Sequence, residues 1–234
     1  MSQPNRLQKS EDQKSFFPKN TTDNMQDVIT AITVQRKNKD RLNVFVNHQY
    51  TFSIHRQHLT AFKQGDIITP ADIDRLKNAD ETDTAYFRAL YFLKFRPRSR
   101  YEIQRYLKDK KFLPETVTDT IRRLEDAGYI NDNDFARLWV ENRMRSKPKG
   151  IVALREELRE KGIASEIIQT VLADLDEKQA AWDAVRPKLR HWNTLEKEEF
   201  KKKAIGYLMR RGFRYSLCCE IFDQAWTEHI ATRY

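Results

Sequence analysis

The sequence predicts a mainly α-helical protein, an elongated tandem array of three three-helix repeats preceded by a small N-terminal domain that contains a β-hairpin. Three observations lead to this fold class. Apolar residues recur in one pattern at intervals of about 50 residues after Thr82, alternation of apolar and polar residues is confined to residues 28–54, and only 6 of the 234 residues are glycine. These glycines do not match the spacing of a dinucleotide-binding or P-loop motif, which excludes nucleotide-binding folds built on glycine-rich loops.

The N-terminal third of the chain divides into a tail and a small domain. Residues 1–27 are polar and are predicted to be a disordered tail. Residues 28–80 are predicted to form a β/α domain, in which two or three strands pack on a short helical stretch at 57–78 because so few strands are marginally stable alone. The residues that define the strands are Val28, Ile32, Val34, Val44, Val46, Tyr50, Phe52 and Ile54, with turns at 37–40 and 47–49.

The rest of the chain carries an internal repeat. Leu107, Leu158 and Leu208 lie 51 and 50 residues apart, and apolar residues occur at matching distances before and after each of them. A short basic turn follows each of these leucines as well, which amphipathic helices in general would not share. The repeat predicts three three-helix domains, at residues 82–130, 131–178 and 179–234.

Each repeat is predicted to turn sharply after its middle helix. Gly162 and Gly212 supply the left-handed residue that ends such a helix. The first helices of the first two repeats are predicted to begin after Thr82-Asp83 and within Asn131–Asp134, because these residue types cap helix N-termini. No repeat buries much apolar area alone, so we expect the three to pack in a row and share a core.

Composition also bears on location. No stretch approaches the ~18 consecutive apolar residues of a membrane-spanning helix, and the polar N-terminus lacks the apolar core of a signal peptide. The two cysteines, Cys218 and Cys219, are adjacent and poorly placed to bridge. We therefore expect a cytoplasmic protein without a membrane segment.

The formal net charge of +9 favours nucleic acid or an acidic protein as partner. Two linkers align in the repeat, residues 94–98 and 145–149, and both have the pattern base-x-base-Pro-base. They are interpreted either as charge compensation and a proline stop at a helix C-terminus, or as a row of cationic loops that meets phosphate or carboxylate groups. The candidate binding residues are Lys94, Arg96, Arg98, Arg100, Arg143, Arg145, Lys147, Lys149, Lys201, Lys202, Lys203, Arg210 and Arg211.

The sequence offers no constellation that supports catalysis. His55 and His58 lack the spacing and the intervening carboxylate of a zinc-binding helix, and Cys218 falls at an apolar position of the repeat, which indicates a core residue. We expect no enzymatic activity, no metal and no cofactor. The tryptophans, Trp139, Trp182, Trp192 and Trp226, are predicted to serve mostly in packing, with stacking on a nucleic-acid base as the alternative.

A family resemblance rests on the second repeat and the residues before it. Residues 124–132 read LEDAGYIND, and they are followed by Phe135-Ala136, by Arg143, and by LREELREKGI at 154–163. In this order and spacing the chain resembles the RecX family, regulators of the RecA recombinase. The resemblance extends over roughly 85–230, and the β segment is similar to the N-terminal extension of longer members.

The resemblance implies a cytoplasmic helical regulator that binds the RecA filament on single-stranded DNA. Such a regulator lowers strand exchange, ATP hydrolysis and the co-protease activity of the recombinase in homologous recombination, DNA repair and the SOS response. It implies no catalytic residue, and we expect a monomer.

The alternative is a direct DNA-binding protein that uses its helix-turn-helix-like repeats. The third helices of the repeats, at 115–123, 166–174 and 215–223, carry few Arg, Asn and Gln side chains that could read base edges. Sequence-specific reading is therefore the less favoured function, whereas non-specific contact with DNA remains compatible with the regulator.

Overall fold

The computed structural model describes residues 26–231, so the predicted tail at 1–27 lies outside the described residues except for its last two. The chain divides into two compact units, the first ending at Leu76 and the second beginning at Lys77. Residues 26–231 contain three strands, a 3-10 helix at Arg56–Leu59 and nine α-helices, which confirms the predicted fold class of a mainly helical chain behind a small sheet. The strands and helices are β1 Ile29–Val34, β2 Arg41–Val46, β3 Gln49–His55, α1 Pro70–Leu93, α2 Arg100–Asp109, α3 Pro114–Asp126, α4 Asp132–Ser146, α5 Ile151–Glu160, α6 Ser165–Ala173, α7 Glu177–Leu189, α8 Lys197–Met209 and α9 Tyr215–Ala231.

The N-terminal sheet is an antiparallel meander in the order β1-β2-β3. The two-residue connection between β2 and β3 has positive φ at Asn47 (48°) and His48 (66°), the conformation whose twist matches that of the flanking strands. One face of the sheet is buried, with Val44 and Ile54 fully inaccessible, and it packs on Leu59 and other apolar residues of the first unit. The predicted strands and turns are confirmed.

The prediction of a short helical stretch at 57–78 and of a separate helix beginning at Thr82-Asp83 is wrong, because α1 runs without a break from Pro70 to Leu93. Its start is capped by Thr69, whose Oγ1 accepts from the Asp72 amide at 3.1 Å while the Asp72 carboxylate accepts from the Thr69 amide at 3.2 Å. The Thr82 hydroxyl donates to the carbonyl of Asn78 at 2.9 Å. A threonine satisfied within its own helix no longer acts as a cap.

The C-terminal part of α1 and the eight helices after it form three three-helix repeats. Each repeat has its own apolar core, so the expectation of one core shared by all three is wrong. The three aligned leucines, Leu107, Leu158 and Leu208, are fully buried on the middle helices α2, α5 and α8. α4 begins at the predicted cap, where the Asn131 side chain accepts from the amides of Asn133 and Asp134. Three-helix packing thus follows from the repeated apolar positions, as predicted.

The turn after each middle helix is the same in all three repeats. The carbonyl of each aligned leucine accepts from the amide five residues later, at 3.3, 3.0 and 3.3 Å along the chain. The residue before that amide is left-handed in each case: Gly162 (φ 73°) and Gly212 (φ 82°), as predicted, and Lys111 (φ 67°) in the first repeat. Lys111 therefore carries a Cβ where the other repeats have none.

We expect Lys111→Gly to raise the free energy of unfolding by about 0.5–1 kcal/mol. Glycine removes the roughly 1–2 kcal/mol cost of left-handed backbone for a residue with a Cβ and returns part of it as unfolded-state entropy. Lys111 is exposed, so its replacement removes no buried contact. Urea unfolding followed by circular dichroism measures the change. The matched control, Lys111→Ala, keeps the Cβ and should give no gain, and equal gains from both variants would contradict the explanation.

Candidate functional site

Successive repeats are joined by one recurring contact. At the first junction the Ser99 hydroxyl donates to the Lys161 carbonyl at 2.7 Å, and at the second the Gly150 amide donates to the Arg211 carbonyl at 2.9 Å. Ser99 and Gly150 are the N-caps of α2 and α5 and occupy equivalent positions of the repeat. Lys161 and Arg211 are equivalent too, in the turns that end α5 and α8. The start of one middle helix thus binds the end of the next.

The backbones approach so closely at these junctions that side chains are excluded. A Cβ at Gly150 would overlap the carbonyl oxygen of Gly212, and a Cβ at Gly162 would overlap the Cβ of Tyr101. Gly162 and Gly212 are therefore needed for space as well as for their positive φ. This close approach fixes each repeat against the next.

The two basic linkers end at these junctions. Residues 94–98 run directly into Ser99, and residues 145–149 run directly into Gly150. Because Ser99 and Gly150 make equivalent contacts, the linkers occupy equivalent places in two successive repeats. The structure thus gives the aligned sequence pattern a common position.

Arg96 belongs to a cluster centred on Glu102 at the first junction. Its Nη2 and Nη1 donate to the two oxygens of the Glu102 carboxylate at 2.8 and 3.0 Å, and Lys161 from the next repeat donates to the same carboxylate at 2.9 Å. Glu102 also completes a capping box with Ser99. Burial opposes its ionisation, but the hydrogen bonds and charges of Arg96 and Lys161 outweigh burial and lower the pKa of Glu102 from 4.5 to about 2.

A second cluster surrounds Glu157 on α5. Its carboxylate accepts from Trp139 Nε1 and Arg143 Nε, both at 2.7 Å, and from Lys149 Nζ. The Arg143 guanidinium also lies 4.6 Å from the centre of the Trp139 ring. Burial raises the pKa of Glu157, yet these three donors lower it overall. Arg143 and Lys149 therefore stabilise the second repeat.

Two further cations, one at the end of the first linker and one just after it, have partners in the fold. Arg98 lies over the Phe92 ring at 3.8 Å, and its Nε is buried without a hydrogen-bond partner. Burial, together with the charge of Arg96, lowers the pKa of Arg98. Arg100 forms an ion pair with Glu125 at 3.4 Å. Arg98 and Arg100 thus contact residues of the first repeat itself.

The remaining linker cations are different. Lys94, Arg145 and Lys147 are exposed, and within residues 26–231 none of them forms an ion pair. Sequence reasoning gave the same role to the six linker cations and to the adjacent Arg100 and Arg143, whereas the structure separates those with partners in the fold from these three. It also shows residues that sequence reasoning missed: Glu102 and Glu157, whose positions along amphipathic helices gave no signal, and Lys161.

An apolar groove of about 430 Å³ lies beside the first linker. Phe95, Tyr129 and Leu138 line it and are 65%, 55% and 44% exposed. Tyr91 adds to this apolar surface, since its ring meets that of Phe95 with centroids 5.2 Å apart. Exposed apolar surface of this kind is typical of protein-interaction sites. It was not foreseen, because apolar residues that are exposed in the structure, such as Phe95 and Tyr129, look like core residues in the sequence.

The cations of the third repeat divide in the same way. Arg211 belongs to the second junction, where its Nη1 donates to the Pro148 carbonyl at 3.0 Å. Lys203 pairs with Glu199 at 3.4 Å. Lys201 and Lys202 on α8 and Arg210 after it are exposed. Lys202, Lys203 and Arg210 line one cavity.

The residues considered for catalysis have structural surroundings. Cys218 is fully buried in the core of the third repeat, as predicted, and burial is the main cause that raises the pKa of its thiol to about 11. The His55 ring accepts from the amide of Gln57 in the first unit. In residues 26–231 no group of three or more His, Cys, Asp or Glu side chains is placed to hold a metal ion. Across the same residues, no helix combines the length and the apolarity needed to cross a membrane.

Family models match three parts of the chain. The model of the regulatory protein RecX N-terminal domain matches residues 27–68. The models of the first and second RecX three-helix domains match residues 85–124 and 131–172. The matched segments follow the division into a sheet and helical repeats.

Curated relatives are similar over most of the chain. A protein of Listeria monocytogenes serovar 1/2a named regulatory protein RecX is 31% identical over 205 residues, which cover 86% of this chain and 76% of the relative. A protein of Bacillus subtilis strain 168 with the same name is 34% identical over 201 residues, 84% of this chain and 76% of the relative.

Solved structures share the fold. A crystal structure of regulatory protein RecX superimposes with a TM-score of 0.65 at 24% identity, covering 84% of this chain and 99% of its own. RecX from Lactobacillus salivarius gives a TM-score of 0.57 at 23% identity, covering 63% of this chain and 97% of its own. At this identity the likeness concerns the fold alone.

We expect Glu102→Gln to lower the free energy of unfolding by about 1–2 kcal/mol near pH 6, after allowance for solvent screening. Because folding lowers the pKa of Glu102 from 4.5 to about 2, its contribution is fully present above pH 4.5 and is lost as the pH falls towards 2. The difference between wild type and variant should therefore shrink from pH 6 to pH 3 in urea unfolding. Glu156, which is 65% exposed, provides the control, since Glu156→Gln should change stability by less than about 0.5 kcal/mol. A difference for Glu102→Gln that stays constant with pH would contradict the assignment.

Proposed function

The chain belongs to the RecX family, and we propose that it binds the RecA filament on single-stranded DNA and lowers the activities of the recombinase. Its relatives over most of its length are named regulatory proteins, which supports a regulatory role exerted through binding. The proposal is that strand exchange, filament ATP hydrolysis and co-protease activity all fall when the protein occupies the filament.

The observation that carries this proposal is the equivalent placement of the two basic linkers. Equivalent junction contacts at Ser99 and Gly150 put residues 94–98 and 145–149 at corresponding places in successive repeats. A filament built by head-to-tail association presents one surface again and again at regular intervals. Two similar loops on one chain suit such a repeating partner better than a single anionic site.

The groove beside the first linker favours a protein surface as part of the partner. Phe95, Tyr129 and Leu138 are exposed there beside Lys94. Aromatic residues are enriched at protein interfaces, where the buried centre is apolar and the rim is polar. A polyanion alone would engage the cations and leave this groove in water.

The alternative of a sequence-specific DNA reader is less well supported by the third helix of the first repeat. The exposed face of α3 carries Glu115, Glu125 and Asp126, which would repel the phosphates of the duplex. Its two arginines are paired, Arg122 with Asp119 at 3.2 Å and Arg123 with Asp83 at 2.5 Å. A reading helix needs donors free to reach base edges.

The test reverses the three exposed linker cations that have no ion pair, in the triple variant Lys94→Glu, Arg145→Glu and Lys147→Glu. Arg96 and Lys149 stay unchanged because their carboxylate partners depend on them. We expect the concentration needed to halve the ATPase activity of a RecA filament to rise about tenfold, if each charge contributes about 0.5 kcal/mol. Helical circular dichroism should be unchanged.

The control for this variant carries the same charge change elsewhere. Lys37, Lys39 and Lys63 are exposed cations of the first unit, and their reversal to Glu should leave inhibition unchanged. Equal loss in both variants would point to net charge rather than the linkers. Unchanged inhibition by the linker variant would contradict the proposed surface, and equal affinity for bare single-stranded DNA and for the filament would favour the DNA-binding alternative.

A further inference from the structure

We propose that the cavity beside α8 in the third repeat binds a nucleotide unit of single-stranded nucleic acid, with the base against Trp192 and Tyr207 and the phosphate on Lys202, Lys203 and Arg210. This deepens the proposed function by adding a direct contact with the DNA strand. The nucleotide site rests on the proposed function in one respect, that the strand it binds is the DNA of the filament. Bare oligonucleotides test the site independently of that function.

The cavity has an aromatic corner. Its volume is about 530 Å³, within the range of small-ligand sites. The rings of Trp192 and Tyr207 stand nearly perpendicular, at 80°, with centroids 5.9 Å apart. Both residues are half-buried, so part of each ring is open to solvent. A flat base can lie against one ring and meet the edge of the other.

Both rings are held in place before any ligand arrives. The Trp192 ring meets the ring of Phe200, which is fully buried in the core of the third repeat, with centroids 5.7 Å apart. The Tyr207 ring lies 4.7 Å from the Arg211 guanidinium, which is itself bound to the Pro148 carbonyl at the second junction. A site with its rings already ordered loses less conformational entropy on binding.

The cations stand on the neighbouring face of α8. Lys202 and Arg210 are exposed, and neither forms an ion pair within residues 26–231, whereas Lys203 shares its charge with Glu199 at 3.4 Å. The cavity lining thus carries three cations and one carboxylate. Two of the cations are free to receive a phosphate.

Gly206 gives this face an unusual feature. A glycine inside a helix costs roughly 1 kcal/mol relative to alanine, and Gly206 has no positive φ that would require it. A Cβ there would lie 3.3 Å from Nη1 of Arg210. The missing side chain at Gly206 therefore leaves room for the Arg210 guanidinium to fold back along α8, on the helical face that also carries Lys203 and Tyr207.

These features together fit a nucleotide unit better than simpler ligands. Inorganic phosphate would use the cations and leave the aromatic corner empty, and the Asp and Glu side chains of an acidic peptide have no flat ring to place there. Proteins that bind single strands combine a cationic groove with aromatic side chains on which bases stack. In a duplex the base faces are already covered by their neighbours, so the unstacked bases of a single strand suit the corner.

The experiment measures fluorescence of the full-length protein during titration with a short oligothymidylate in the absence of recombinase. We expect saturable quenching that disappears in Trp192→Phe and persists in Trp182→Phe, the matched control in the same repeat. The double variant Lys202→Ala and Arg210→Ala should weaken binding about tenfold or more, with unchanged circular dichroism. The double variant Lys108→Ala and Arg155→Ala, which removes two cations from α2 and α5, should bind as wild type.

Four results would overturn the proposal. They are full quenching in Trp192→Phe, unchanged affinity in the Lys202 and Arg210 double variant, equal quenching by polyglutamate, and binding of thymidine monophosphate as tight as that of the oligomer. The third would indicate a general polyanion surface and the fourth a free nucleotide as ligand. If the double variant loses oligonucleotide binding but still inhibits the filament ATPase, the nucleotide site stands and filament inhibition does not depend on it.

Discussion

The contact between the start of one middle helix and the end of the next is the constraint on which the helical unit depends. It joins a buried N-cap donor, Ser99 or Gly150, to a carbonyl in the turn that ends the following middle helix. Polar backbone groups at helix ends must be satisfied when they are buried, and here each repeat satisfies its neighbour. Because the basic linkers lead into these N-caps, the same contact also sets where the linkers lie.

Positive charge has two roles in this chain. Arg96 and Lys161 neutralise Glu102 across the first junction, and Arg143 and Lys149 neutralise Glu157 within the second repeat. Removing one partner of such a half-buried pair leaves a charge without compensation. The exposed cations carry no such penalty and are the ones available to a partner. A basic linker in this fold is therefore partly structural, and its exposed cations form the proposed binding surface.

The sequence predicted the fold well and the candidate surface only in part. Repeats and turns were readable because Leu107 and its equivalents recur at a fixed interval with a basic turn behind them. The true start of α1 could not be read from the sequence, because Thr82 is a residue type that often caps helices. Only its hydrogen bond to the Asn78 carbonyl shows that it lies inside the helix. Ion-pair partners were equally hidden, because Glu102 and Lys161 are 59 residues apart and come together only when the repeats pack.

The left-handed residue after each middle helix has a consequence for the length of the array. Gly162 and Gly212 face the N-terminal turn of the preceding repeat, whereas Lys111 occupies the same position in the first repeat and is exposed. A long side chain at that position therefore prevents a further repeat from packing there in the same way. Adding a fourth repeat on the N-terminal side of the first would require Lys111 to be replaced by glycine, so that the middle helix of the new repeat could pack against this turn.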